Sequence, residues 1–281
     1  GPKMSFTAGT KKMTVFDGVN YTLLSIISLT CLFPFLYVFS VSFTDPDAYI
    51  PLQFYFFPKK WSLSAYEYIL STNSFLYSLR STVFVTLVGT ALNLAVSFMM
   101  AYGLTKKTLP GRGWMLGFVV FTLVFNAGIV PNYLLVKELG LINSLWALIW
   151  PSLTNAWSLI VIKSFLETLP PGLEEAAKID GANALQIAWR IKLPLTMEVV
   201  KVTIVLAAVG SLKYFDLIYI MTGGGPNGAS EVMASYMYRL AFRSYDFGYA
   251  SAVGFFLLIL SLAVTWIIRR LTASDDKIQY S

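Results

Sequence analysis

Long uncharged apolar runs restrict this chain more than any other feature. A helix needs about 20 apolar residues to cross the hydrocarbon core of a bilayer. Five uncharged windows of that order are present: Tyr21–Phe43, Ser81–Leu104, Trp114–Val136, Leu139–Ile162 and Phe247–Ile268. A sixth, Val202–Ile220, is interrupted by Lys213 and Asp216. The runs predict an all-α integral membrane protein with six transmembrane helices. Composition agrees, since only 13% of the 281 residues are charged, about half the share usual in soluble domains. The first run follows a polar lead-in without a small-residue cleavage site, so a retained span is expected rather than a removed signal peptide.

Orientation follows from the short connections, because Lys and Arg collect on the cytoplasmic side. Lys3, Lys11 and Lys12 precede the first span; Lys106, Lys107 and Arg112 lie in the second connection; Lys163, Lys178, Arg190, Lys192 and Lys201 in the fourth; and Arg269, Arg270 and Lys277 at the end. Against these 14 stand five on the other side: Lys59, Lys60, Lys137, Arg239 and Arg243. Arg80 and Lys213 are set aside as intramembrane or borderline. Both termini are therefore expected in the cytoplasm, with a tail over 1–18, a six-helix domain over 19–272, a cytoplasmic loop at about 170–195 and a second tail over 273–281. The first outer loop, about 44–79, carries "DPDAYIPLQFYFFPKKW", an aromatic stretch suited to the lipid–water interface.

Several chemistries fall away at once. The chain has no histidine, which removes imidazole acid–base work, Ser-His-Asp triads and histidine metal sites. Its single cysteine, Cys31, admits no internal disulfide. The net charge of +6 is spread in small groups, so no nucleic-acid-binding patch is present.

One polar stretch interrupts the apolar pattern, "EEAAKIDGANALQIAWRIKLPL" over 174–195. Pro170 and Pro171 stop the preceding helix. Glu174 and Glu175 fall in the first turn of a new one, where carboxylates offset the macrodipole. Ala176, Ala177 and Ile179 give it a small, packable face, and Gly181, after Asp180, supplies a residue free to leave the helix. Leu185, Ala188, Trp189 and Lys192 recur at helical spacings in a second arm, which Pro194 is expected to end.

Glu175-Ala176-Ala177, three residues, Gly181, nine residues, Ile191, one residue and Leu193-Pro194 match E-A-A-x3-G-x9-I-x-L-P. This pattern resembles the signature cytoplasmic loop of permease subunits of bacterial ABC importers. "LKYFDLIYIMTGGGPNGASEVMASYMYRLAFRSYDFGYASAVG" over 212–254 and the early "LFPFLYVFSVSF" are similar to the carbohydrate importers of this family, the group that includes the maltose transporter. The resemblance implies a non-catalytic subunit in a bacterial inner membrane, with a coupling helix between spans 4 and 5 that lies in a groove on an ATP-binding-cassette ATPase dimer. ATP-driven closure of that dimer would rock the spans between inward-open and outward-open states. The chain contains no G-x-x-x-x-G-K-[ST] phosphate loop, so ATP and Mg are expected on the separate ATPase and no cofactor on this chain. The resemblance further implies a second, related permease chain, an extracytoplasmic solute-binding protein and an oligosaccharide substrate. Which of the two permease positions this chain takes stays open. Gly223-Gly224-Gly225-Pro226 reads as a tight turn at the outer end of a span, beside segments that contact the binding protein in similar chains.

Polar residues inside spans are costly and usually line a cavity or pair with one another. Lys213 and Asp216, three residues apart on an expected helix face, read either as an internal ion pair or as part of the translocation path, where an unpaired Lys213 would suit an acidic sugar. Asn93, Asn126 and Asn155 are placed to bond sugar hydroxyls or neighbouring helices. Tyr214, Phe215 and Tyr219 offer rings for sugar faces or for packing. Two other classes compete. An ion-coupled secondary carrier would use Lys213 and Asp216 as coupling charges; a membrane-embedded enzyme would need an aspartate-based site.

Overall fold

The computed structural model describes residues 14–50, 53–54, 56–221, 223, 225, 228 and 230–272. The tail lysines Lys3, Lys11, Lys12 and Lys277, the second tail 273–281, and Gly224 and Pro226 lie outside the described residues. Among those described the chain is helical throughout, apart from turns and one isolated antiparallel bridge between Thr44 and Trp61.

Helix α1 (Val15–Ser42) begins inside the expected first tail. Thr14 and Asp17 set its start: Asp17 N–H donates to Thr14 Oγ1 at 3.3 Å and Thr14 N–H to Asp17 Oδ2 at 2.9 Å, a capping box that satisfies free amides at the first turn. A short α2 (Ser64–Ser71) leads to α3 (Asn73–Thr105), whose 33 residues start well before the expected window. At 1.5 Å per residue α3 is about 50 Å long, more than the hydrocarbon core requires.

The middle windows fold differently from expectation. Trp114–Val136 divides into α4 (Arg112–Val124) and α5 (Ile129–Glu138). Asn126 Oδ1 accepts the Gly128 N–H at 2.9 Å, and Gly128 turns with φ +84°, so backbone that leaves the helix is held by an adjacent side chain. Leu139–Ile162 becomes a single turn, α6 (Trp146–Ile149), a 3-10 turn at Trp150–Ser152, and α7 (Ala156–Thr168). Pro151 lacks the N–H that would continue α6, and Asn155 Oδ1 accepts the Ser158 N–H at 3.0 Å to start α7.

After α7 come α8 (Pro171–Ile179), α9 (Ala184–Gln186), a π-helical segment at Ile187–Lys192, α10 (Leu193–Leu195) and α11 (Met197–Leu212). Pro194 does not end the second arm as expected. The chain stays helical to Leu195 and breaks at Thr196. Proline at 194 has no N–H for the Arg190 carbonyl and crowds it, and the wider π turn just before it relieves both problems. Helix α11 ends at Lys213, and α12 (Asp216–Met221) starts a new helix. Helices α13 (Met233–Phe242) and α14 (Phe247–Thr272) complete the chain. Among the described residues, four stretches are long and apolar enough to cross a membrane: Val15–Ser42, Asn73–Thr105, Met197–Ile220 and Phe247–Arg270.

Contacts between helices fix which ends lie together. Phe39 and Phe43 of α1 meet Phe255 of α14 at 5.4 and 5.8 Å, so the two helices run antiparallel, with Val15 and Arg270 toward one end. Phe75 near the start of α3 meets Phe256 at 5.4 Å, which sends Lys106 toward that same end. There Phe98, Ala101 and Leu104 of α3 form a core with Leu159, Ile162 and Leu166 of α7, and with Ala188 and Val199. Apolar side chains exposed along α1 and α4 face outward, as on helices solvated by lipid.

Candidate functional site

The loop over 170–195 folds as a hairpin of two helical arms. Helix α8 closes through Gly181, whose φ of +84° suits glycine. The Gly181 N–H donates to the Lys178 carbonyl at 3.1 Å and the Ala182 N–H to the Ala177 carbonyl at 2.9 Å, the paired closing bonds of a Schellman turn. Two residues on, Asn183 and Gln186 exchange N–H to side-chain oxygen bonds of 2.8 Å, so the second arm starts with its own capping box.

The hairpin divides its residues into two sets. Ala177, Ile187 and Ala188 are buried, and Leu193 packs on the Phe98–Leu166 core. Ile191 is half-buried. Glu175, Ala176, Asp180, Gly181 and Pro194 are exposed, together with Leu173, Leu185 and Ile179, the last at 86%. A polar hairpin that also leaves Trp189 and Leu195 exposed beside these three has a surface suited to a protein partner.

Glu174 belongs to neither set. Its side chain is only 15% exposed and is enclosed by three ammonium groups. Lys106, from the end of α3, donates to Oε1; Lys192 lies 2.7 Å from Oε2; and Lys178, one turn along α8, lies 3.1 Å from Oε1. Burial pushes the Glu174 carboxyl upward, but the three lysines outweigh it and hold the group at about 2. Lys106 is shifted the other way: burial lowers it, and the bond to Glu174 takes it above the usual lysine value. The Tyr102 ring stands under both Lys106 and Lys192, at 4.5 and 5.2 Å.

A second cluster sits beside it. Arg112 donates from Nε to the Leu104 carbonyl at 2.7 Å and from a terminal nitrogen to Glu167 at 2.9 Å, and Lys163 reaches the same carboxylate at 2.8 Å. The Lys163 bond first, then the charges around it, bring Glu167 below the usual carboxylate range against the effect of burial. The sequence offers Lys106, Arg112 and Lys163 as topology charges and Lys192 also as a position of the second arm. The i,i+4 spacing of Lys163 and Glu167 allows their pairing, but nothing in the spacing reveals the bond of Lys106 to Glu174, 68 residues away.

Deeper in the molecule, α3, the α6–α7 break and α11 enclose a cavity of about 470 Å³. Asn93, Asn155 and Tyr214 line it, with Thr90, Ser152, Ser158 and Ser211 as further polar groups. Asn93 donates to the Ser152 carbonyl at 2.6 Å. None of the lining residues is charged. The remaining candidates lie elsewhere. Asn126 holds the α4–α5 bend; Tyr219 stacks on Phe215 at 5.4 Å and lies edge-on to Tyr238 at 5.0 Å. Lys213 and Asp216 are both exposed, on either side of the break after α11, and no ion pair joins them. The expected shared helix face does not exist because the helix ends between them.

This geometry is that of a helical membrane chain with an embedded polar cavity and a partner-ready hairpin at one end. The family model for the binding-protein-dependent transport system inner membrane component matches residues 5–274, and the chain belongs to that family. It is a multi-pass membrane component of a transport system. Protein LplC of Bacillus subtilis is 42% identical over 213 residues, which cover 75% of this chain and 72% of that protein. The polygalacturonan/rhamnogalacturonan transport system permease protein YtcP of the same organism is 43% identical over 189 residues, 67% of this chain and 66% of that one. Among solved structures, a bacterial ABC transporter involved in the import of the acidic polysaccharide alginate is similar at a TM-score of 0.80 and 25% identity, over 91% of this chain and 96% of that chain.

Proposed function

We propose that this chain is the permease subunit of an ATP-driven importer that takes an acidic oligosaccharide from an extracytoplasmic binding protein. The observation that carries the reading is α8, a short helix with exposed Leu173, Glu175 and Ile179, fastened to the inner ends of the membrane helices through Glu174. It is the element on which a separate ATPase dimer, holding ATP and Mg, would act. A second, related permease chain completes the path. The names of YtcP and of the alginate transporter support an acidic polymer as the source of the substrate.

In this reading the α4–α5 and α6–α7 pairs serve as the third and fourth of six crossings. Their breaks are the kind of irregular backbone that a membrane accepts where it is buried or lines a polar cavity. The charge bias and the antiparallel α1 and α14 support a cytoplasmic position for both termini and for α8.

The test is affinity purification of the tagged chain from solubilised native membranes, with wild type compared to Gly181→Pro. An ATPase and a second membrane chain are expected to co-purify with wild type and to be depleted in the variant. A chain that purifies alone and transports without ATP overturns the proposal and favours an ion-coupled carrier.

A further inference from the structure

We infer that Glu174 is a transmission residue: its bonds to Lys106 and Lys192 clasp α8 to the end of α3 and to the segment that leads into α11, so that force applied to α8 reaches the cavity. This rests on the proposed function, because it presumes an ATPase that moves α8.

The argument begins with direction. Glu174, in the first turn of α8, and Glu175, the next residue, send their side chains to different faces. Glu175 is exposed and free to meet a partner, whereas Glu174 is turned inward against three lysines. Only one of these, Lys178, belongs to α8. The other two come from the end of α3, 68 residues earlier in the chain, and from the last residue of the π-helical segment, which α10 and the break at Thr196 separate from α11. Tyr102 closes the ring, since its face lies against both of these lysines.

Helix α3 and, beyond Thr196, α11 are also two walls of the cavity. Helix α3 carries Gly89, Thr90 and Asn93 to it, and α11 carries Leu206, Gly210 and Ser211. Asn93 is 13 residues from Lys106, about 20 Å along a rigid helix. A helix transmits an end displacement over that distance, whereas the Lys106 side chain alone would not. Apolar packing of Leu193 and Ala188 supports the same junction but has no fixed partner geometry, while a carboxylate shared by three ammonium groups has little freedom to slide.

The experiment uses the complete transporter in inside-out vesicles, with Cys31 replaced by serine and Ser211→Cys as the reporter. The rate of labelling of that cysteine by an impermeant maleimide is measured with and without ATP. Wild type is expected to show an ATP-dependent change in rate. In Glu174→Gln and in Lys106→Gln the ATPase should remain bound and active while that change shrinks by roughly two- to thirty-fold, the range seen when coupling networks are mutated. Glu175→Gln is the contrast, expected to weaken ATPase attachment. An undiminished response in Lys106→Gln overturns the inference, whether or not Glu174→Gln assembles. Absence of any ATPase from the wild-type complex overturns instead the proposed function on which it rests.

Discussion

Asn93 donates its amide hydrogen to the backbone carbonyl of Ser152 at 2.6 Å, across 59 residues of chain. The carbonyl belongs to the 3-10 turn where Pro151 ends α6, and the amide comes from the middle of an unbroken α3. One side chain thus satisfies a backbone group released by the broken helix and pins that break to the cavity wall. Replacing Asn93, itself 7% exposed, with leucine leaves the half-buried Ser152 carbonyl without this partner. A loss of about 1–2 kcal/mol is expected, to be read as a lower Tm in detergent. Asn93→Gln, which keeps the amide but lengthens the reach, is expected to recover part of it.

Gly181 supplies the second prediction. A Cβ there would meet nothing within 4 Å, so the cost of a side chain is purely conformational. At φ +84° alanine is disfavoured by about 1 kcal/mol, and asparagine, which tolerates the left-handed region, by less. Hydrogen exchange at the Gly181 and Ala182 amides, which close α8, is expected to quicken in the order glycine, asparagine, alanine. Equal protection in all three would remove the turn from the account.

Much of this was legible in the sequence because it is local. The apolar windows, the restart after Pro170, the left-handed glycine and the helical arms on either side of it all follow from residues within a few positions of one another. The interruptions were not legible in the same way. Asn126–Gly128 and Pro151–Asn155 sit in windows whose hydropathy reads as continuous, and Asn155, which the sequence offers either to sugar hydroxyls or to a neighbouring helix, is a helix cap as well as a cavity residue. The Glu174 cluster was hidden for a different reason: its partners are set by how α3 and α11 pack, and a count of cytoplasmic lysines carries no information about pairing. Lys213 and Asp216 show the opposite error, a helical spacing that loses its meaning where the helix stops.

The Glu174 carboxyl predicts a pH profile. Its position near 2 lies below the ordinary carboxylate value of 4.5, so its contribution is complete above that value and is lost as pH falls through about 2. The Lys106 ammonium is raised, so its share is complete below the ordinary lysine value and is lost only above it. Between pH 5 and 9 the clasp should therefore be constant. Exchange protection over α8, corrected for the intrinsic rate, is expected to stay flat across that window in wild type. In Glu174→Gln it should be lower by about 2 kcal/mol throughout. A midpoint near pH 6 would mean that the carboxylate is not held by its lysines.

Lys213 and Tyr214 are adjacent, yet they separate at the end of α11. Tyr214 lines the polar cavity, while Lys213 lines a groove formed with Phe35 of α1 and Leu258, Ser261 and Thr265 of α14. A charge in that groove does not reach the cavity, whose lining offers only neutral hydrogen-bonding groups. Lys213→Ala is expected to change uptake of uronate oligomers and of neutral oligomers by the same factor in reconstituted vesicles. Tyr214→Phe, which removes one hydroxyl from the cavity, should lower uptake of both by roughly five- to tenfold, the effect of one hydrogen bond. A loss confined to the uronate oligomers in Lys213→Ala would put its amine on the substrate's route, and the groove beside α14 rather than the cavity would then carry the charge selection.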